Sequence, residues 1–136
     1  MAALSGPPTF ATLLDQRDNA VSSEEEIELG RKLIVEMRTS FSRSDWDGTT
    51  RSYERLAGLK ADRGLRLEAT CLAVRTLVAI QQRPAARQLL ATVATGNYRK
   101  PSHYEYLARA YLDLKQYGDA AAACERAEDL RLAEQK

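Results

Sequence analysis

At 136 residues the chain has the length of one domain, and a composition of 44% hydrophobic and 29% charged residues excludes wholesale disorder. Twenty Lys and Arg against nineteen Asp and Glu leave a net charge of +1, so no global field selects nucleic acid or an anionic membrane. Seven Gly and four Pro leave most of the chain unpunctuated, which predicts helices rather than many short strands.

Residues 1–22 read as a flexible segment, broken at Gly6-Pro7-Pro8. Within it Phe10, Leu13 and Leu14 keep helical spacing after Thr9, the pattern of a short amphipathic piece able to dock on the folded body. From 23 to 136 the pattern is one helical domain. Ser22-Ser23-Glu24-Glu25-Glu26 opens a first helix, because a Ser cap followed by acids suits orphan amides and the positive end of the dipole. Its apolar stripe is Ile27, Leu29, Leu33, Ile34, Met37 and Phe41. Asp45-Trp46-Asp47 starts a second helix carrying Tyr53, Leu56 and Leu59, and a third runs from near Leu65 to about Gln81. Pro84 marks the first turn of a fourth, which stops near Thr95-Gly96-Asn97. Pro101-Ser102 opens the fifth, and a turn or cap at Gln116-Tyr117-Gly118-Asp119 leads into the sixth. Short connections imply antiparallel hairpins.

Tyr104, Leu107, Ala108, Tyr111, Tyr117, Ala120, Cys124 and Ala127 are spaced as in the 34-residue helix–turn–helix unit, and this last stretch resembles a tetratricopeptide repeat. Moving back 34 residues finds Thr70, Ala73, Val74, Leu77, Ala86 and Leu90; a further 37 finds Leu33, Met37, Trp46, Thr49, Tyr53 and Leu56. Leu132 stands where the repeat's closing proline belongs. The resemblance implies an all-α, right-handed superhelical stack of about three hairpins and six helices. In it Ala108 and Ala120 allow close helix crossing, Tyr111 and Cys124 point into the joint between helices, and Tyr117 stacks at the turn. Such a chain is expected to be a non-catalytic protein–protein interaction module or adaptor, holding an extended or helical segment of a partner in its concave groove.

Nothing points to an enzyme. His103 stands alone at a helix start without a second ligand or a positioned partner, so a surface or capping role is expected, and neither a metal site nor a cofactor. Phosphate-cradling loops, a nucleophile elbow and HExxH are all missing from the sequence. Cys71 and Cys124 lie on apolar stretches and are expected to be reduced and buried. No apolar run approaches the roughly 20 residues of a membrane span, and no secretory signal is evident, so a cytoplasmic protein is expected.

The candidate site comes from register. Counting nine residues with Gly30, Leu67 and Pro101 as the first reaches Arg38, Arg75 and Arg109, one arginine per unit. Three residues after each stand Phe41, Val78 and Leu112, and four before stand Ile34, Cys71 and Glu105, so a row of carboxylate-seeking forks with apolar flanks is expected. Pairing of these arginines with neighbouring acids such as Asp113 is the competing expectation. Ile34 and Cys71 replace the polar residues of the clamp that grips heat-shock chaperone tails, which excludes that partner. Within the interaction class, dedicated chaperones of bacterial secretion systems are a further resemblance. Two lesser expectations remain. The acid-free stretch between Glu68 and Glu105, with Arg75, Arg83, Arg87, Arg99 and Lys100, together with Tyr98, Tyr104 and the adjoining Tyr106, offers RNA or another anionic polymer a surface. A homo-oligomer is the other, since no polar capping helix follows the sixth.

Overall fold

A computed structural model describes residues 24–135, and within them the chain is all-helical. The six helices are α1 (Glu25–Ser42), α2 (Trp46–Ala57), α3 (Arg63–Ala79), α4 (Arg83–Ala94), α5 (Pro101–Asp113) and α6 (Tyr117–Glu134). The expected segment 1–22 and the Ser22-Ser23 cap lie outside the described residues.

Local chemistry explains the starts. The Asp45 side chain accepts from the Gly48 amide at 3.0 Å and opens α2. Asp62 accepts from the amides of Gly64 and Leu65 and starts α3 at Arg63, two residues before the sequence suggested. Proline occupies the first turn of both α4 and α5, where an amide would have no partner. Glu25, Glu26 and Glu28 load the first turn of α1 with negative charge, which favours the dipole although no side chain caps it.

The three turns that join the two helices of each pair are one turn made three times. Ser44, Gln81 and Lys115, which are 37 and 34 residues apart, have φ of 59°, 63° and 62°. The amide of each bonds three residues back, to the carbonyls of Phe41, Val78 and Leu112. The following amides, of Asp45, Gln82 and Gln116, bond five residues back, to Ser40, Leu77 and Tyr111. This double closure is the Schellman pattern, here with non-glycine residues in the left-handed position. Each turn folds a second helix back on the first, giving the pairs α1·α2, α3·α4 and α5·α6. The first helices of the pairs also pack serially, α1 on α3 and α3 on α5.

Helix α3 is therefore the centre, flanked by α1, α2, α4 and α5. Glu68 to Cys71 are consecutively buried, as only a helix covered on several sides permits. On one side of it Leu33, Ile34, Met37 and Leu56 pack with Ala69 and Ala73. On the other, Leu67, Cys71 and Val74 join Leu90, Tyr104, Leu107 and Leu114. The residues equivalent under the 37- and 34-residue offsets are buried together: Met37, Val74 and Ala108, and likewise Thr49, Ala86 and Ala120.

Two repeat positions depart from expectation in the last hairpin. Cys124 is exposed rather than set in a joint, although its equivalent Leu90 is buried. Tyr117 is 63% exposed rather than stacked at the turn. The reason is positional: Leu90 sits in one cluster with Leu107, Ala123 and Ala127 of the third hairpin, and among the described residues nothing covers Cys124 or Tyr117 in the same way.

Candidate functional site

The inner faces of α1, α3 and α5 enclose a groove of about 290 Å³ lined by Arg38, Phe41, Glu68, Cys71, Leu72, Arg75, Tyr106 and Arg109. All three arginines of the row and Phe41 meet there. Val78 and Leu112 do not: Val78 is partly buried against the core around α3, and Leu112 is half exposed outside the groove. Phe41 reaches the groove because it is long and held from two sides. The Arg75 guanidinium lies 4.8 Å over its ring, and the Trp46 ring meets it edge-on at 5.5 Å. A valine in the equivalent place has no such reach.

Each arginine has a different electrostatic situation. Arg38 grips Glu68 with both arms, Nε to Oε2 at 2.5 Å and Nη2 to Oε1 at 2.6 Å. The Glu68 side chain is only 11% exposed, whereas that of Arg38 is 51% exposed, so the pair carries a buried anion out to a solvated cation. This hydrogen bonding raises the Arg38 pKa above its ordinary value. Arg75 donates from Nε to Asp113 Oδ2 at 2.8 Å, the pairing anticipated as the competing expectation. Arg109 is exposed and, among the described residues, has no carboxylate within ion-pair distance. In both pairs the arginine of one hairpin takes an acid from the first helix of the next. Among the described residues no further first helix packs on α5 to offer Arg109 one.

The apolar side of the groove is Phe41, Leu72 and the ring of Tyr106, with Cys71 at its floor. Burial pushes the Cys71 thiol up to about 12, so it stays protonated and is a packing group rather than a nucleophile. Tyr106 is likewise held above the ordinary phenol value, by burial first and then by the Glu68 charge. Ile34 belongs to the core and Glu105 pairs with Arg131 of α6, so neither shares the groove with Cys71.

Glu68, Leu72 and Tyr106 were not among the expected site residues. A faint signal existed for each. Leu72 and Tyr106 stand three residues before Arg75 and Arg109, one helical turn away, where the sequence reading looked four before. Glu68 is the acid that closes the acid-free stretch, two turns before Arg75 on the same face of α3.

The aromatic residues of the basic stretch are engaged in the fold. The Tyr98 hydroxyl donates to the Val93 carbonyl at 2.7 Å, and its amide donates to the Tyr104 hydroxyl at 3.1 Å. Both rings are buried, so neither is a free stacking surface, while Arg87, Arg99 and Lys100 remain exposed. His103 is packed rather than superficial. Its ring meets Tyr98 edge-on at 5.7 Å and lies against Gly64, whose missing side chain makes the room. Burial lowers its pKa below 6.5, and its Nδ1 is buried without a hydrogen-bond partner.

Among the described residues no group of His, Cys, Asp and Glu is placed to hold a metal ion, and no helix is long and apolar enough to cross a membrane. Compared with family models, curated proteins and solved structures, the chain matches none of them.

Proposed function

We propose that the chain is a non-catalytic protein–protein interaction module of the tetratricopeptide type, whose hairpins stack as a right-handed superhelix and whose groove receives a peptide segment of a partner. The recurrence of one turn at Ser44, Gln81 and Lys115, with serial packing of α1, α3 and α5, supports the repeat reading. The observation that carries the binding reading is the convergence of Arg38, Phe41, Arg75 and Arg109 on one groove in which Arg109 has no acid of its own. An exposed guanidinium beside an apolar wall suits a segment that pairs one carboxylate with one or two apolar side chains.

Arg109→Glu tests this, because Arg109 holds no ion pair within the fold and its reversal leaves the packing intact. Affinity capture from the cells that produce the protein is expected to lose the bound partner in this variant at an unchanged melting temperature. Capture as strong as that of the wild type contradicts the reading.

A further inference from the structure

The sequence contains, outside the described residues, the run Thr9-Phe10-Ala11-Thr12-Leu13-Leu14-Asp15. We propose that this run is an occupant of the groove in the free chain: Leu13 and Leu14 lie on the wall of Phe41, Leu72 and Tyr106, and Asp15 meets Arg109. The inference rests on the groove being a peptide site and names a first ligand for it.

Chemistry and length both support the match. The groove offers an apolar wall beside one cation that lacks a carboxylate, and the run offers two leucines followed at once by a carboxylate. Nine steps separate Asp15 from Glu24, about 30 Å when extended. Helix α1 climbs about 21 Å from Glu24 to Arg38. Two interhelical spacings of about 9 Å lead from α1 across α3 to α5, which puts Arg109 about 28 Å from Glu24. The nine steps are thus long enough for Asp15 to reach Arg109 and for Leu13 and Leu14 to reach the wall. A tether this short supplies an effective concentration on the order of millimolar, so even a weak contact is occupied much of the time. A foreign segment then binds by displacing the chain's own, and the capture reaction is self-limited until a stronger ligand arrives.

The test titrates a fluorescein-labelled peptide of residues 8–18 into three full-length chains: wild type, L13S/L14S, and L13S/L14S/R109E. Arg109 is an exposed side chain, and Leu13 and Leu14 lie outside the described residues. The L13S/L14S chain, its groove vacated, is expected to bind the peptide at least about tenfold more tightly than the wild type, whose own segment competes at millimolar effective concentration. Adding R109E is expected to cost about tenfold. Equal affinity for wild type and L13S/L14S overturns the proposal, as does the absence of saturable binding to L13S/L14S. Unchanged affinity on adding R109E overturns the placement of Asp15. Failure here with loss of cellular capture in Arg109→Glu removes this inference and leaves the groove as a partner site. Peptide binding through Arg109 with cellular capture undiminished keeps the inference and removes the partner site.

Discussion

The same arginine, at the same register, does two different jobs at the two ends of the row. In the first two hairpins it ties neighbouring helices together, Arg38 to Glu68 and Arg75 to Asp113. In the third, Arg109 faces the groove with no acid opposite it among the described residues. The lesson is that a side chain's electrostatic situation in such serial packing depends on what the neighbouring helix places opposite it. Arg38 and Arg75 each have a neighbouring first helix that supplies an acid, and among the described residues Arg109 has none.

Replacing each in turn by Met measures that gradient. Arg38→Met leaves Glu68 buried and unpaired and is expected to cost about 2–3 kcal/mol, below the ~3–5 kcal/mol of a fully buried pair because Arg38 is half exposed. Arg75→Met removes a pair whose side chains are each about a third exposed and a contact over Phe41, for about 1 kcal/mol. Arg109→Met is expected to lie within about 0.5 kcal/mol of wild type. Urea unfolding of the three variants checks the order, and a cost at Arg109 equal to that at Arg38 breaks the comparison.

A second contrast concerns the loops between hairpins. The connection from α4 to α5 packs His103 against Tyr98 and Gly64, and burial holds its pKa below 6.5. The unfolded chain therefore binds the proton more readily, and stability rises with pH between the folded-state pKa and 6.5. This contribution is complete above 6.5 and is lost as pH falls below it. His103→Phe is expected to flatten that part of the stability profile, read as denaturant midpoints between pH 5 and 7.5. A slope that survives the substitution assigns it to another group.

The smallest effects sharpen the repeat itself. Ser44, Gln81 and Lys115 hold left-handed backbone that glycine adopts without strain. Glycine at any one of them is expected to add about 0.5–1 kcal/mol, the relief of the αL conformation less the extra entropy of the unfolded chain. Loss of stability at one site alone, by the same unfolding measurement, means that the three turns are not equivalent.

These turns also mark what the sequence left unread. Helix starts were legible because Asp45, Pro84 and Pro101 act locally. The start of α3 was read two residues late because its cap, Asp62, stands among other polar residues between Gly58 and Gly64. The left-handed turns carry no glycine, so no residue type announced them. Register grouped the three arginines and Phe41, which line one groove in the structure, since helical spacing is a property of the helix alone. It could not supply Glu68 or Tyr106, whose presence depends on which helix lies opposite. It also misjudged Cys124 and Tyr117, which are exposed because among the described residues nothing packs over them.

Site-specific photocrosslinking tests the groove most directly. A photoreactive phenylalanine analogue is placed at Tyr106, inside the groove, or at Tyr117, exposed outside it. Irradiation in the cells that make the protein is expected to yield a covalent adduct with one partner polypeptide from position 106 and none from position 117. An adduct from position 117 alone contradicts the account.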